Sequence, residues 1–205
     1  MLKPVDKDQV NRRAYGQKGL LQGDVVTGAC LDRNSIQDCL TLTPPLIEQY
    51  LNLDEQLQPN GFDLTVKNLE RFDGPDAKPG MLPNQSEGRI LPPTYQIAFG
   101  SDGIIHLAPG SYLVTFNEIV NFPLDLMGLA KPRSSLLRSG VTIHTAVWDA
   151  GYRGRSQALM EVLHPLGFTF TRNARLIQMV FFRLEQRLTQ GYSGVFQGEG
   201  IEDHA

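Results

Sequence analysis

An all-β domain built from many short strands is what this sequence predicts, and three observations carry the prediction. The 20 glycines and 13 prolines are spread along the 205 residues, so turns recur throughout. Between the turns stand short runs in which apolar and polar residues alternate, the period of a half-buried strand. The hydrophobic content, 41%, supports one domain with a real core, yet no run approaches the ~20 apolar residues a bilayer span requires.

Taken in order, residues 1–43 are polar, weakly periodic and glycine-containing, and read as an N-terminal arm or peripheral layer. The domain proper is expected over residues 44–205. Residues 44–53 predict a short helix with Thr43 as N-cap, Pro44 and Pro45 at its start, and Leu46, Ile47, Tyr50, Leu51 and Leu53 as its apolar side. Gln58-Pro-Asn-Gly61 is a turn, and residues 62–66 alternate as a strand. Residues 73–93 hold three prolines and three glycines before Pro92 and Pro93, which predicts a long loop. Strands are expected at 94–99, 103–107, 111–116, 126–130, 158–164, 168–171 and 177–184. A second short helix is expected at 134–139. Residues 190–200 form a glycine-rich tail carrying Tyr192 and Phe196.

Net charge is −3, so no basic field exists to hold a nucleic-acid polymer or an anionic membrane. A single nucleotide needs only a local cluster of arginines. Cys30 and Cys39, in a chain whose N-terminus shows no charged-then-apolar signal pattern, predict a reduced, cytoplasmic protein. The four histidines show no metal-ligand spacing with each other or with the cysteines.

Two segments stand out chemically. In Arg133-Ser-Ser-Leu-Leu-Arg138 a turn opening into a helix would aim backbone N–H groups and the hydroxyls of Ser134 and Ser135 at one spot, with Arg133 and Arg138 to neutralise phosphate. The same segment also reads as a capped helix with solvated arginines. In Trp148-Asp-Ala-Gly-Tyr-Arg-Gly154 a carboxylate in a turn can orient a water and take its proton, while Tyr152 offers a flat face to a sugar or base. A plain hairpin with Asp149 as local cap is the other reading. Glu161 stands in an apolar run, on the face of Leu159 and Leu163 and opposite Met160 and Val162. It either faces solvent or, buried, gains a raised pKa suited to moving protons.

Together these segments resemble the dUTPase/dCTP deaminase superfamily over most of residues 58–200. Gln58-Pro-Asn-Gly-Phe-Asp-Leu64 resembles its first motif and Pro132-Arg-Ser-Ser-Leu136 its second. Trp148-Asp-Ala-Gly-Tyr-Arg-Gly154 resembles the third, Arg175-Leu-Ile-Gln-Met-Val180 the fourth, and Tyr192-Ser-Gly-Val-Phe-Gln-Gly198 the glycine-rich last. Five motifs stand in the family's order. Thr145-Ala-Val-Trp148 with the Tyr152 form of the third motif is most similar to the archaeal-type branch of dUTPases.

The resemblance implies a distorted β-barrel or jelly-roll that assembles as a homotrimer with sites at subunit interfaces. It implies that Asp149 activates the water attacking the α-phosphate of dUTP, and that Tyr152 packs on the deoxyribose. Arg133, Ser134, Ser135 and Gln178 would grip phosphates. A Mg²⁺ would ride on the triphosphate, and Tyr192, Phe196 and Gln197 would close over the nucleotide as a lid. For dCTP deamination the resemblance assigns Ser134, Arg138 and a glutamate after the third motif. Glu161 lies two residues beyond the usual spacing, which a two-residue bulge within 155–158 would restore. A non-catalytic nucleotide-binding member of the fold is the remaining alternative.

Overall fold

The computed structural model describes residues 30–84 and 88–201. Their elements, in chain order, are α1 (Arg33–Cys39), β1 (Ile47–Glu48), α2 (Leu53–Gln56), β2 (Leu57–Gln58), β3 (Gly61–Arg71), β4 (Tyr95–Ile97), β5 (Ile104–Leu107), β6 (Gly110–Phe116), β7 (Ile119–Asn121), β8 (Leu126–Pro132), α3 (Ser134–Arg138), β9 (Val141–His144), β10 (Arg153–Gly154), β11 (Gln157–Val162), β12 (Phe168–Thr171) and β13 (Arg175–Arg183).

The main sheet runs β8-β13-β3-β6-β11-β9, all neighbours antiparallel. Its end strands approach each other, joined by α3, and the sheet becomes a nearly closed, distorted barrel. β3 makes the curl possible. Its first half pairs with β13 and its second half with β6, with register shifts at 175/177 and 66/68 where it changes partners. Such irregularities bend a strand and sharpen its twist. The small sheets β1-β7-β10 and β12-β5 cover the flanks.

Side-chain alternation places the core. Ile177, Met179 and Phe181 of β13 point inward, as do Ala158, Met160 and Val162 of β11. Phe62, Leu64 and Val66 of β3 meet them, each fully buried. Each such side chain contributes roughly 1.5–3 kcal/mol from removal of apolar surface from water.

The helix expected over residues 44–53 does not form. Gln49 takes a positive φ of 58°, which no α-helix accommodates, and Ile47–Glu48 pairs with Ile119 and Val120. Helix appears only after Asn52, whose side chain caps the Asp54 amide at 3.1 Å. Residues 30–43, within the segment expected as an arm or peripheral layer, carry α1. Asp32 caps it by accepting from the Ser35 amide at 2.8 Å, and its Ile36 and Cys39 are buried in the core. The rest of that segment lies outside the described residues. Among the described residues no helix is long and apolar enough to cross a membrane, and Cys30 and Cys39 are both free.

Candidate active site

The turn at Asp149 is built by backbone bonds to two other segments. Trp148 and Gly128 exchange N–H···O bonds of 2.9 and 3.0 Å, fixing the entry. Gly151 donates to the Phe122 carbonyl at 2.9 Å, and Phe122 donates to the Tyr152 carbonyl at 2.8 Å, fixing the exit. Gly151 has φ +86°, and a Cβ there would lie 2.6 Å from the Gly191 Cα, so no other residue fits. The outcome is a rigid turn with Trp148, Ala150 and Tyr152 buried and Asp149 exposed. Among the described residues the Asp149 carboxylate has no hydrogen-bond or ion-pair partner.

The tail folds back onto this turn. Tyr192 donates its amide to the Ala150 carbonyl and Gly198 to the Arg153 carbonyl, both at 2.8 Å. The Gln197 amide accepts from the Arg153 N–H and donates to the Gly151 carbonyl, each at 3.0 Å. The Tyr152 hydroxyl donates to Glu199 Oε1 at 2.7 Å, and the Tyr192 ring meets the Tyr152 ring edge-on at 5.6 Å. Burial first, and then the bond to Glu199, holds the Tyr152 phenol well above the usual tyrosine range. Burial likewise raises Glu199, against the lowering effect of its bond from Tyr152. Arg89, from the long loop, lies over the Phe196 ring at 5.6 Å. Turn and tail together wall a cavity of about 530 Å³, lined among others by Asp149, Tyr152, Gln157, Tyr192, Phe196 and Glu199.

The remaining candidates gather elsewhere on the same chain. Asp63 of β3 is buried, and its Oδ2 receives Arg133 at 3.2 Å and Arg175 at 3.5 Å. Burial raises its pKa more than the two guanidiniums lower it. Gln178 pairs in register with Asp63 on one side and Lys131 on the other. Arg133 is the N-cap of α3 but makes no side-chain capping bond, so neither serine caps the helix. Ser134, Ser135 and Arg138 are exposed, and their side chains have no partner among the described residues. None of Arg133, Ser134, Ser135, Arg138 or Gln178 lines the cavity beside Asp149.

Glu161 joins neither group. Its Oε2 lies 3.0 Å from His144 Nε2 on the outer face of the sheet. The β11–β6 ladder runs one-to-one from Gln157 to Val162, and the Phe116 amide bond to the Ser156 carbonyl continues that register. No bulge there shifts Glu161 toward Asp149. The residue of this face that reaches the cavity is Gln157, whose amide donates to the Thr115 hydroxyl at 3.0 Å.

A family model described as dCTP deaminase-like matches residues 30–184. The chain belongs to the dCTP deaminase-like family. A probable deoxyuridine 5'-triphosphate nucleotidohydrolase of Methanosarcina mazei is 44% identical over 171 residues, covering 83% of this chain and 98% of that protein. One of the same name from Archaeoglobus fulgidus is 41% identical, covering 77% of this chain and 89% of the other. A crystal structure of 2'-deoxycytidine 5'-triphosphate deaminase from Agrobacterium tumefaciens superposes with TM-score 0.58 at 20% identity. It covers 77% of this chain, which spans about half of that longer one, and the likeness shows the fold.

Within this dCTP deaminase-like chain, sequence reasoning passes over three residues of the candidate site. Glu199 stands one position beyond the last motif, and an acid in a glycine-rich tail is the available signal. Asp63 falls inside the first motif with no role attached to it, and here it holds Arg133. Gln157 carries no signal, because its place on the cavity wall depends on the register of β11.

Proposed function

We propose that the protein hydrolyses dUTP to dUMP and pyrophosphate. The observation that carries the reading is the bare Asp149 carboxylate, exposed on the wall of a cavity whose other side is aromatic. A carboxylate without a protein partner is free to bind a water and accept its proton as the oxygen attacks the α-phosphate. The α-phosphorus gains that oxygen, the bond to the bridging oxygen breaks, and pyrophosphate leaves. Tyr152 presents its ring to the deoxyribose, and Phe196 and Tyr192 close the apolar side. The names of the archaeal relatives support the same reaction.

Arg133, Ser134, Ser135, Arg138 and Gln178 form the phosphate-gripping surface. Because they stand away from the cavity of their own chain, a neighbouring copy in a homotrimer supplies them to it. Among the described residues no three acidic, histidine or cysteine side chains converge. That donor set fits a Mg²⁺ held by triphosphate oxygens and water, which would neutralise charge on the phosphates. The hydrogen-bond contact of Glu161 with His144 supports keeping water activation at Asp149, with dCTP left intact.

The test is a paired assay of the protein with Mg²⁺ and either dUTP or dCTP, products resolved by chromatography. dUMP from dUTP with dCTP unchanged is expected; ammonia release from dCTP would overturn the reading. Mixing Asp149→Asn chains, which lack turnover, with Arg133→Ala chains, which bind dUTP weakly, is expected after dissociation and reassembly to restore part of the parent's turnover at low dUTP. No recovery would remove the shared site.

A further inference from the structure

The phenol of Tyr152 has one proton to donate, and it is given to Glu199 rather than to the cavity. The ring is 6% exposed, and its hydroxyl lies 2.4 Å from where a Cβ on Gly154 would stand. Glycine at 154 thus lets the phenol sit down on the strand, where the Glu199 side chain meets it: Glu199 Cγ is 3.2 Å from that same point. Glu199 is itself fixed from behind. Its carbonyl accepts the Arg155 amide at 2.8 Å, and the Arg155 guanidinium donates to the next carbonyl, Gly200, at 3.1 Å. Arg155 is anchored in turn by the carbonyl of Asn117 and by Gln49 Oε1.

We infer that Glu199 is the positioning residue of Tyr152: it locks the ring at one depth and angle in the cavity and so sets how much room the sugar has. A carboxylate accepting from a hydroxyl makes a short, charge-assisted bond, stronger than the neutral kind. Without it the ring keeps its packing and its edge-on contact with Tyr192 but loses the strongest bond that fixes its tilt. A ring with a looser tilt still covers a sugar but excludes an extra hydroxyl on it less strictly. The Ser156 hydroxyl, which lines the same cavity, stands close enough to the phenol to lower its pKa, but the contact falls short of hydrogen-bond geometry and is a weaker anchor than Glu199. This inference rests on the reading of the cavity as a deoxynucleotide site.

The experiment compares Glu199→Ala and Glu199→Gln with the parent. The amide oxygen of glutamine can still accept from the phenol; alanine cannot. Glu199→Ala is expected to lower the preference for dUTP over UTP, in kcat/KM, by about tenfold, the scale of one hydrogen bond to a charged group. Glu199→Gln is expected to stay within about threefold of the parent, the lesser strength of a neutral acceptor. Equal losses in both variants with an unchanged dUTP-to-UTP ratio would overturn the proposal and leave Glu199 a fastener of the tail. A readout without substrate separates this from the function itself. The tyrosine bands in ultraviolet resonance Raman spectra should differ between parent and Glu199→Ala, and that difference should vanish when both carry Tyr152→Phe. Its absence sinks the proposal whatever the activity. Its presence, with no turnover of dUTP by the parent, sinks the dUTP reading and keeps the Glu199–Tyr152 pairing.

Discussion

Glu118 and Asp149 are both carboxylates on turns, and the protein treats them in opposite ways. Glu118 is fully buried and saturated: it accepts from the Thr65 amide at 2.9 Å, the Thr65 hydroxyl at 2.6 Å and the Gln56 amide at 2.7 Å. Asp149 is exposed and accepts from no group of the described chain. The first ties α2, β3 and the start of β7 together; the second is left for something that enters from outside. A buried acid with all its bonds made is a fastener. A bare one on a cavity wall has the freedom that the proposed water activation requires.

Removing each should therefore hit a different measurement, and the largest effect is on turnover. Asp149→Asn is expected to lower kcat by roughly 10²–10⁴, the contribution of a positioned general base, while calorimetric nucleotide binding persists and stability moves by less than about 0.5 kcal/mol. Glu118→Ala should do the reverse. It strands three buried donors, and urea unfolding should show a loss of roughly 3 kcal/mol or more. If Glu118→Ala spared stability and Asp149→Asn did not, the comparison would be broken.

Smaller effects sharpen it. Arg133→Ala is expected to raise KM for dUTP about tenfold, the loss of one charge-assisted phosphate contact, with a smaller change in kcat. A pH series tests the state of Glu118. Burial raises its pKa above the ordinary 4.5, outweighing the bonds from Thr65 and Gln56. The folded protein then binds that proton more tightly than the unfolded chain. Its contribution is fully present below 4.5 and is lost as pH rises through the folded value. The stability advantage of the parent over Glu118→Gln should thus shrink from acid toward neutral pH; a growing gap would reverse the assignment. Smallest of all, Ser156→Ala removes a buried hydroxyl whose contact with Tyr152 falls short of hydrogen-bond geometry, and should change stability by less than about 1 kcal/mol.

Much of the barrel is legible in the amino-acid sequence, because alternation survives where one face of a strand is buried and the other is not. β6, β11, β12 and β13 are such strands. β7 cannot be read that way: Ile119, Val120 and Asn121 are all buried, and three residues carry no period. α1 escapes the sequence because Ile36 and Cys39 are its only buried positions, too few to mark a face. The 44–53 segment has good helical signals, and the pairing of Ile47 with Val120 overrides them. In the site, Asp149 and Tyr152 are legible because their neighbours in sequence are also their neighbours in space. Glu118 is silent, since its partner Gln56 lies 62 residues away. Whether Glu161 lies near Asp149 cannot be read from spacing; its register and its contact with His144 place it on the outer face, away from the Asp149 cavity of its own chain.

The fold-back of the tail also sets an order of events during synthesis. Gln197 leaves the ribosome 46 residues after Gly151, the carbonyl it binds. At translation rates of about 5–20 residues per second, that is a delay of roughly 2–9 s. Through that interval a growing chain carries the Asp149 carboxylate without the wall formed by Tyr192, Phe196 and Glu199. A polypeptide halted between the two points carries the proposed base without the cavity that surrounds it in the finished fold.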